Sequence, residues 1–158
     1  MKSKLIKDYV LTNNNGRKVK LATMFGRHNT LVVLHNMGEH CPNCALWGDE
    51  FNGMLKHLEK VTGFVVIGPD DSKTQKAYAT KRGWKVNLYS AAGTTFIKDM
   101  GFQSKDGNAE PGISILEKSR DGKITVRKQS DVDSDGHAKS VLDVFWMLPG
   151  VDIEEIAF

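Results

Sequence analysis

The feature that most constrains the fold is a pair of short apolar runs separated by an amphipathic segment. Residues 31–34 and 64–67 are apolar, rich in valine and bounded by polar or small residues, which is typical of strands buried on both faces. Between them, apolar residues recur at helical spacings and share one face: Trp47, Phe51, Met54, Leu55 and Leu58. This order predicts a βαβ unit with its two strands parallel and its connection right-handed.

Local signals predict the rest of the chain as an alternation of short elements. Asn13 to Gly16 tolerate the backbone of a tight turn, Asp121-Gly122 is a strong hairpin signal, and Gly83 has the character of a helix stop. The predicted elements are a hairpin over 8–21, a helical turn over 21–25, a helix capped by Ser72, an extended segment over 84–89, a short helix over 94–100, a polar loop over 105–109, strands over 113–117 and 123–127, and a final helix over 137–148.

Length and charge narrow the class of protein. A chain of 158 residues is close to one average domain, so we expect a single domain over 1–158. The net charge is only +3, with lysine and arginine scattered along the chain, which argues against a nucleic-acid partner. No apolar run is long enough to span a membrane and residues 1–10 are rich in charge, so we expect a soluble cytoplasmic protein without a membrane partner.

The only two cysteines, Cys41 and Cys44, are separated by two residues. Two cysteines cannot form a disulfide scaffold, so the pair is a redox pair, half of a metal site or an accident. If Cys41 begins the helix, unpaired backbone N–H groups and the helix dipole favour its thiolate. Cys44 then lies one turn later as a buried thiol within disulfide range, and Pro42 suits the first helical position.

This arrangement resembles the thioredoxin superfamily. The resemblance rests on the strand at 31–34, the motif Cys41-Pro42-Asn43-Cys44, and Glu110-Pro111 followed by the strand at 112–116. More narrowly, 41–53 (CPNCALWGDEFNG) together with Gly83-Trp84 resembles a bacterial thioredoxin-like family of unknown function, over about residues 9–148. The resemblance implies an α/β, thioredoxin-like fold: a central mixed β-sheet flanked by helices, with an N-terminal hairpin extension (1–28) on a core (29–148).

The same resemblance implies roles for four residues, and a fifth, His40, is a candidate through its position. Cys41 is the expected nucleophile of a thiol-disulfide oxidoreductase and Cys44 the resolving thiol. Pro111 corresponds to the cis-proline that faces the CxxC motif, and His35 occupies the position of a buried acid that helps to move the proton of the resolving thiol. His40, directly before Cys41, adds a positive charge when protonated, or is an exposed loop histidine. The expected substrate is a protein or small-molecule disulfide or thiol, without a cofactor; the oligomeric state has no sequence signal.

Three other functions stay open at this point. A non-catalytic binding module with the thioredoxin fold would keep the cysteines as a buried, inert pair. A peroxiredoxin-type peroxidase would need threonine and proline three and seven residues before the reactive cysteine, where Cys41 has Gly38 and Leu34. A metal-binding module would combine the thiols with His35, His40 or His57, but a second ligand pair at recognisable spacing is missing.

Two further patterns favour structural roles. Aromatic residues at helical spacing are usually core, so we expect Trp47, Phe51, Trp84 and Trp146 to be buried. The segment containing Asp131, Asp133 and Asp135 resembles the first half of an EF-hand loop, but Leu142 stands where the bidentate glutamate belongs. We therefore predict Asp135 as a helix cap and no metal site.

Overall fold

The computed structural model describes residues 4–131 and 139–157, which contain a single eight-stranded sheet in the order β1-β8-β7-β4-β5-β6-β2-β3. The strands are β1 (Lys4–Ile6), β2 (Val10–Asn13), β3 (Lys18–Lys20), β4 (Thr30–His35), β5 (Gly63–Gly68), β6 (Asn87–Ser90), β7 (Gly112–Lys118) and β8 (Ile124–Ser130). The helices are α1 (Leu21–Met24), α2 (Pro42–Gly53), α3 (Leu55–Leu58), α4 (Ser72–Arg82), α5 (Phe96–Asp99), α6 (Val141–Met147) and α7 (Ile153–Ala157).

The centre of the sheet is the predicted βαβ unit. β4 and β5 pair in parallel, with Val33 opposite Val65, and α2 lies between them in sequence. β7 pairs with β4 antiparallel on the other side, so the sheet is mixed. Because helices cover both faces, the residues of β4 and β5 alternate between two cores rather than between core and solvent. The predicted α/β class is confirmed.

Two hydrophobic cores occupy the two faces of the sheet. The outer core lies beneath α2, α4 and α6 and includes Val32, Leu34, Ala45, Trp47, Phe51, Val66, Trp84, Val144 and Phe145. The inner core lies on the opposite face and includes Tyr9, Leu11, Leu21, Phe25, Leu31, Val33, Ile67, Phe96, Phe102 and Leu116.

The N-terminal segment contributes to both edges of the sheet. The predicted hairpin is confirmed as β2 and β3, but β2 also pairs with β6, and β1 pairs with β8 at the opposite edge. β1 and β2 are six strand spacings apart in the sheet order, about 29 Å across a flat sheet, whereas the link from Ile6 to Val10 reaches only about 15 Å. The sheet therefore curls around the inner core, where Tyr9 of this link is buried.

Helix α2 is fixed against α4 by close packing and by polar contacts. A side chain at Gly48 would bring its Cβ within 2.3 Å of the Trp84 ring, so the glycine permits this approach. Asp49 accepts hydrogen bonds from Arg82 and, at 2.6 Å, from the Trp84 indole N–H. The helix ends at Gly53, and α3 follows after Met54, so the predicted apolar face is divided between two helices.

Two helix starts differ from the prediction. α4 begins at Ser72, but its N-cap is Asp71, whose carboxylate accepts the Thr74 N–H at 2.8 Å, while Gly83 ends the helix in the left-handed conformation as expected. α6 begins at Val141 with Ser140 as its N-cap, in a capping box with Asp143. The predicted cap Asp135 and its neighbour Asp133 lie outside the described residues.

The predicted burial of the aromatic residues holds with one exception. Trp47, Phe51 and Trp84 are buried in the outer core as predicted, but Trp146 is 73% exposed. α6 turns Val144 and Phe145 towards the core, which leaves Trp146 on its outer side. In the part of the chain that the structure describes, no helix has the length and apolar character needed to cross a membrane.

Candidate active site

Cys41 is the N-cap of α2. Its Sγ accepts the backbone N–H of Cys44 at 3.1 Å, and its carbonyl oxygen accepts the N–H of Ala45 at 3.1 Å. Pro42 opens the helix, where its missing N–H costs no hydrogen bond. An N–H donor and the positive end of the helix dipole therefore both point at the Cys41 sulfur, as predicted from the motif.

The loop before Cys41 is held by the carboxyl ends of β4 and β5. Asn36, directly after β4, accepts the Gly38 N–H on its side-chain oxygen at 2.6 Å, and the Cys41 N–H donates to the Gly38 carbonyl at 3.2 Å. Asp70, just after β5, accepts the Glu39 N–H at 2.8 Å. Gly38 has a φ of 118°, and a Cβ there would lie 3.0 Å from the His40 Nδ1, so the loop requires glycine.

Both thiols are covered. Cys41 is 9% exposed and Cys44 3% exposed, and the Cys41 Sγ lies 3.8 Å from the sulfur of Met37. The predicted burial of Cys44 is confirmed. Cys41 is also nearly buried, and its closest sulfur neighbour in the loop of residues 36–40 is Met37.

The environment of Cys44 keeps its thiol protonated. Burial raises the pKa of Cys44 to about 12, and the hydrogen bond to Cys41 together with the charge of its thiolate contributes in the same direction. The two cysteines are free thiols in this state. Backbone hydrogen bonds from Met37 and from Cys44 itself oppose the rise in pKa, but burial outweighs them, so the Cys44 thiol resists deprotonation.

His35 faces away from the thiols, which corrects the role expected from the resemblance. Its Nε2 lies 2.8 Å from the Ser114 hydroxyl, and its ring stacks on Phe102 of the inner core at a centroid distance of 3.9 Å. Burial lowers the pKa of His35 to about 3. Successive residues of a strand point to opposite faces, so His35 points away from the outer core that contains Ala45 of α2, and Asn36 takes the side of the thiols.

Pro111 lies beside the site through the register of the sheet. His35 is paired with Gly112, so Pro111 comes next to Asn36 at the end of β4. The expectation of a cis bond is wrong, because the peptide bond before Pro111 is trans. Gly112 is required here, since a Cβ would lie 2.0 Å from the Phe102 ring.

The two other histidines considered as metal ligands, His40 and His57, lie in separate places. His40 is exposed, as one of its two predicted states, and its Nδ1 shares the neighbourhood of Gly38 with Asp70. The Nδ1 of His57 lies 3.2 Å from the carbonyl of Ile156 in α7, away from the motif. Among the described residues, no group of three histidine, cysteine, aspartate or glutamate side chains is arranged to hold a metal ion.

A groove of about 460 Å³ runs between α2 and α4 beside Cys41. Its lining residues are Glu39, His40, Pro42, Ala45, Ala77, Tyr78, Lys81 and Arg82. Tyr78 is 8% exposed, and its hydroxyl has no hydrogen-bond partner among the described residues. Burial raises the pKa of Tyr78, the charge of Arg82 and the side chain of Asn36 oppose this rise, and the charges of Cys44 and Cys41 add to it.

Sequence reasoning missed the polar residues around the motif. Asn36 and Asp70 follow β4 and β5, and the carboxyl ends of parallel strands are where sites form in such sheets, so this signal was present. Tyr78 carried no signal, because a tyrosine inside a helical pattern is usually core.

Comparison with known proteins identifies a family and a fold. The family model described as "Bacterial protein of unknown function (DUF899)" matches residues 2–146. No curated protein matches the sequence. Among solved structures, the mitochondrial 2-Cys peroxiredoxin of Plasmodium falciparum is similar with a TM-score of 0.70 and 18% identity, over 91% of this chain and 89% of that chain.

Two other solved structures give the same fold. The peroxiredoxin-like protein of Aquifex aeolicus is similar with a TM-score of 0.69 and 15% identity, over 90% of this chain and 82% of that chain. The bacterioferritin comigratory protein of Xanthomonas campestris, described by its alkyl peroxide reduction activity, has a TM-score of 0.65 and 20% identity, over 82% of this chain and 84% of that chain. The fold is therefore the thioredoxin-like fold in the form found in peroxiredoxins.

Proposed function

We propose that this chain, which belongs to the DUF899 family of bacterial proteins of unknown function, is a thiol-disulfide oxidoreductase. The observation that carries the proposal is the position of the Cys41 sulfur at the N-cap of α2, where it accepts the Cys44 N–H at 3.1 Å. An N–H donor stabilises a sulfur that is negatively charged, and the thiolate is the nucleophile in disulfide exchange.

The reaction proceeds in two steps with balanced bonds and electrons. The Cys41 thiolate attacks one sulfur of a substrate disulfide, forms a mixed disulfide and releases the other sulfur as a thiol. Cys44 then loses its proton and attacks the Cys41 sulfur, which forms the Cys41–Cys44 disulfide and releases the second thiol. The protein dithiol is oxidised by two electrons and the substrate disulfide is reduced by two.

The contacts of Cys44 set the order of these steps. Burial is the largest cause of its raised pKa, and the charge of the Cys41 thiolate adds to it. When Cys41 enters a mixed disulfide it loses that charge, so the pKa of Cys44 falls at the moment when its thiolate is needed. Cys44 is thereby kept from competing with Cys41 for the first attack.

The test is site-specific alkylation of the reduced protein across pH, followed by equilibration with a glutathione redox buffer and mass analysis of each cysteine. We expect Cys41 to be alkylated first and a reversible Cys41–Cys44 disulfide to form. Cys44→Ser should accumulate a mixed disulfide at Cys41, whereas Cys41→Ser should accumulate none at Cys44. Two slow, equivalent thiols that never pair would instead support a non-catalytic binding module, which the burial of both thiols favours.

A second candidate, a thiol peroxidase, is favoured by the peroxiredoxin form of the fold. Against it, Gly38 and Leu34 occupy the positions where a peroxiredoxin motif around Cys41 would have threonine and proline. Two oxidation rates of the reduced protein distinguish these functions, one with hydrogen peroxide and one with a disulfide. Each rate is divided by the rate of a free thiol with the same oxidant. The proposed oxidoreductase enhances the disulfide rate more than the peroxide rate.

A further inference from the structure

The groove between α2 and α4 is adjacent to the proposed nucleophile and limits what can reach it. Cys41 lies between two lining residues, His40 and Pro42, and a third, Ala45, is one helical turn further along α2. Cys41 is 9% exposed and contacts the Met37 sulfur. A small disulfide held in the groove would lie beside the residues that flank Cys41, whereas a disulfide on the surface of a folded protein is too bulky to enter the groove.

The groove is preformed. α2 and α4 are tied together by the paired contacts of Asp49 with Arg82 and Trp84, and by the packing of Gly48 against the Trp84 ring. Its volume of about 460 Å³ falls within the roughly 300–1,000 Å³ of small-molecule sites. A cleft of this size suits a molecule no larger than a short peptide.

The charges on the groove walls have both signs. Arg82 is neutralised by its ion pair with Asp49. Lys81 and Glu39 line the groove, yet neither side chain forms an ion pair or hydrogen bond within the part of the chain that the structure describes. One unpaired ammonium group and one unpaired carboxylate in the same cleft complement a ligand that itself carries both charges.

We propose that the groove binds a low-molecular-weight disulfide of the amino-acid type, with its carboxylate towards Lys81 and its ammonium group towards Glu39. This inference rests on the proposed thiol-disulfide exchange and names its substrate class. Cys41 attacks a sulfur of the bound disulfide, one amino-acid thiol leaves, and Cys44 releases the second while forming the protein disulfide.

The test compares four small disulfides as oxidants of the reduced protein in single-turnover reactions quenched by alkylation. Cystine is zwitterionic, hydroxyethyl disulfide is neutral, cystamine is cationic and dithiodiglycolate is anionic. Each rate constant is divided by the rate constant of the same disulfide with dithiothreitol, which removes differences in intrinsic reactivity. We expect the highest normalised value for cystine.

Variants of the groove test the assigned contacts. Lys81→Gln should lower the ratio of the cystine to the hydroxyethyl disulfide value by about threefold, in keeping with a partly exposed ion pair. Lys81→Glu should lower that ratio further and raise the value for cystamine. Lys76→Gln is the matched control, because Lys76 is an exposed lysine of the same helix outside the groove and should keep the wild-type ratio.

The outcomes separate the two proposals. Equal normalised values for all four disulfides, or a Lys81→Gln ratio equal to wild type, would overturn the substrate class and leave the exchange activity standing. A preference for dithiodiglycolate over cystine would overturn the role of Glu39. If no disulfide oxidises Cys41, while dithiothreitol reacts normally, both the exchange activity and its substrate class are overturned.

Discussion

The two faces of β4 at its carboxyl end hold neighbouring polar residues in opposite surroundings. On the inner face, His35 forms a hydrogen bond with the Ser114 hydroxyl, which also accepts one from Gln129 at 3.0 Å. The His35 ring stacks on the rings of Phe96 and Phe102. On the outer face, Asn36 orders the loop that carries Cys41, and Tyr78 lies beside the groove with its hydroxyl unpartnered among the described residues.

This difference shows that sequence distance from a cysteine does not assign a role. His35 and Asn36 are adjacent, yet the alternation of a strand sends one into an aromatic core and the other towards the thiols. The inner face packs its histidine so that the neutral form is favoured, whereas the outer face leaves polar groups next to a groove. The inner face therefore stabilises the fold and the outer face carries the proposed chemistry.

The largest effect we expect is a loss of folding stability in acid, caused by His35 on the inner face. Because burial lowers the pKa of His35 to about 3, the unfolded chain binds a proton on this residue below pH 6.5 and the folded chain does not. Stability is therefore lost as pH falls below 6.5, by up to about 1.4 kcal/mol per pH unit. His35→Leu should flatten the free energy of unfolding between pH 6.5 and 4.5, measured by urea denaturation.

The same variant tests whether the two faces are separate. His35→Leu should keep the rate of Cys41 alkylation at pH 7 close to that of the wild type. A rate that drops tenfold or more would mean that His35 serves the thiols after all. An unchanged slope of stability against pH would mean that His35 is not held neutral.

One glycine on each face tests its packing, with a smaller expected effect on stability. A Cβ at Gly48 would lie 2.3 Å from the Trp84 ring, and one at Gly112 would lie 2.0 Å from the Phe102 ring. Each substitution to alanine should destabilise the fold by about 1–3 kcal/mol through overpacking. Only Gly48→Ala, which shifts α2, should also alter the alkylation rate of Cys41; an equal change in Gly112→Ala would show that the faces are coupled.

The smallest expected changes in stability come from removing two hydroxyl groups, one on Ser114 and one on Tyr78. Ser114→Ala removes a hydroxyl with two partners and should cost about 1–2 kcal/mol, because His35 Nε2 loses its partner and Gln129 keeps only its bond to the Met100 carbonyl. Tyr78→Phe removes a hydroxyl whose contact with Asn36 falls short of a full hydrogen bond, and it should change stability by less than about 0.5 kcal/mol. Thermal unfolding of both variants measures this, and equal losses would show that the Tyr78 hydroxyl is bonded in solution.

Local chemistry explains the parts of the structure that the sequence predicted. The apolar runs predicted β4 and β5. The motif predicted Cys41 at the start of the helix and Pro42 as its first residue, and Gly83 was predicted to end α4. Each of these depends on a few consecutive residues, through periodicity, a cap or a positive φ.

The errors concern contacts between distant segments. The pairing of β1 with β8 depends on the curl of the whole sheet. The exposure of Trp146 depends on which side of α6 meets the core. Neither of these is encoded in a window of neighbouring residues, so a pattern cannot predict them.

The sequence by itself determined the α/β class, the βαβ centre and the two thiols one helical turn apart, because spacing along the chain fixes which residues share a strand or a helix face. Only the tertiary structure decided that His35 turns away from the thiols, that the Met37 sulfur contacts Cys41, and that Lys81 and Glu39 line the groove beside it. These facts depend on the face to which a side chain points and on what packs against it, which are settled only when the sheet and its helices close around both cores.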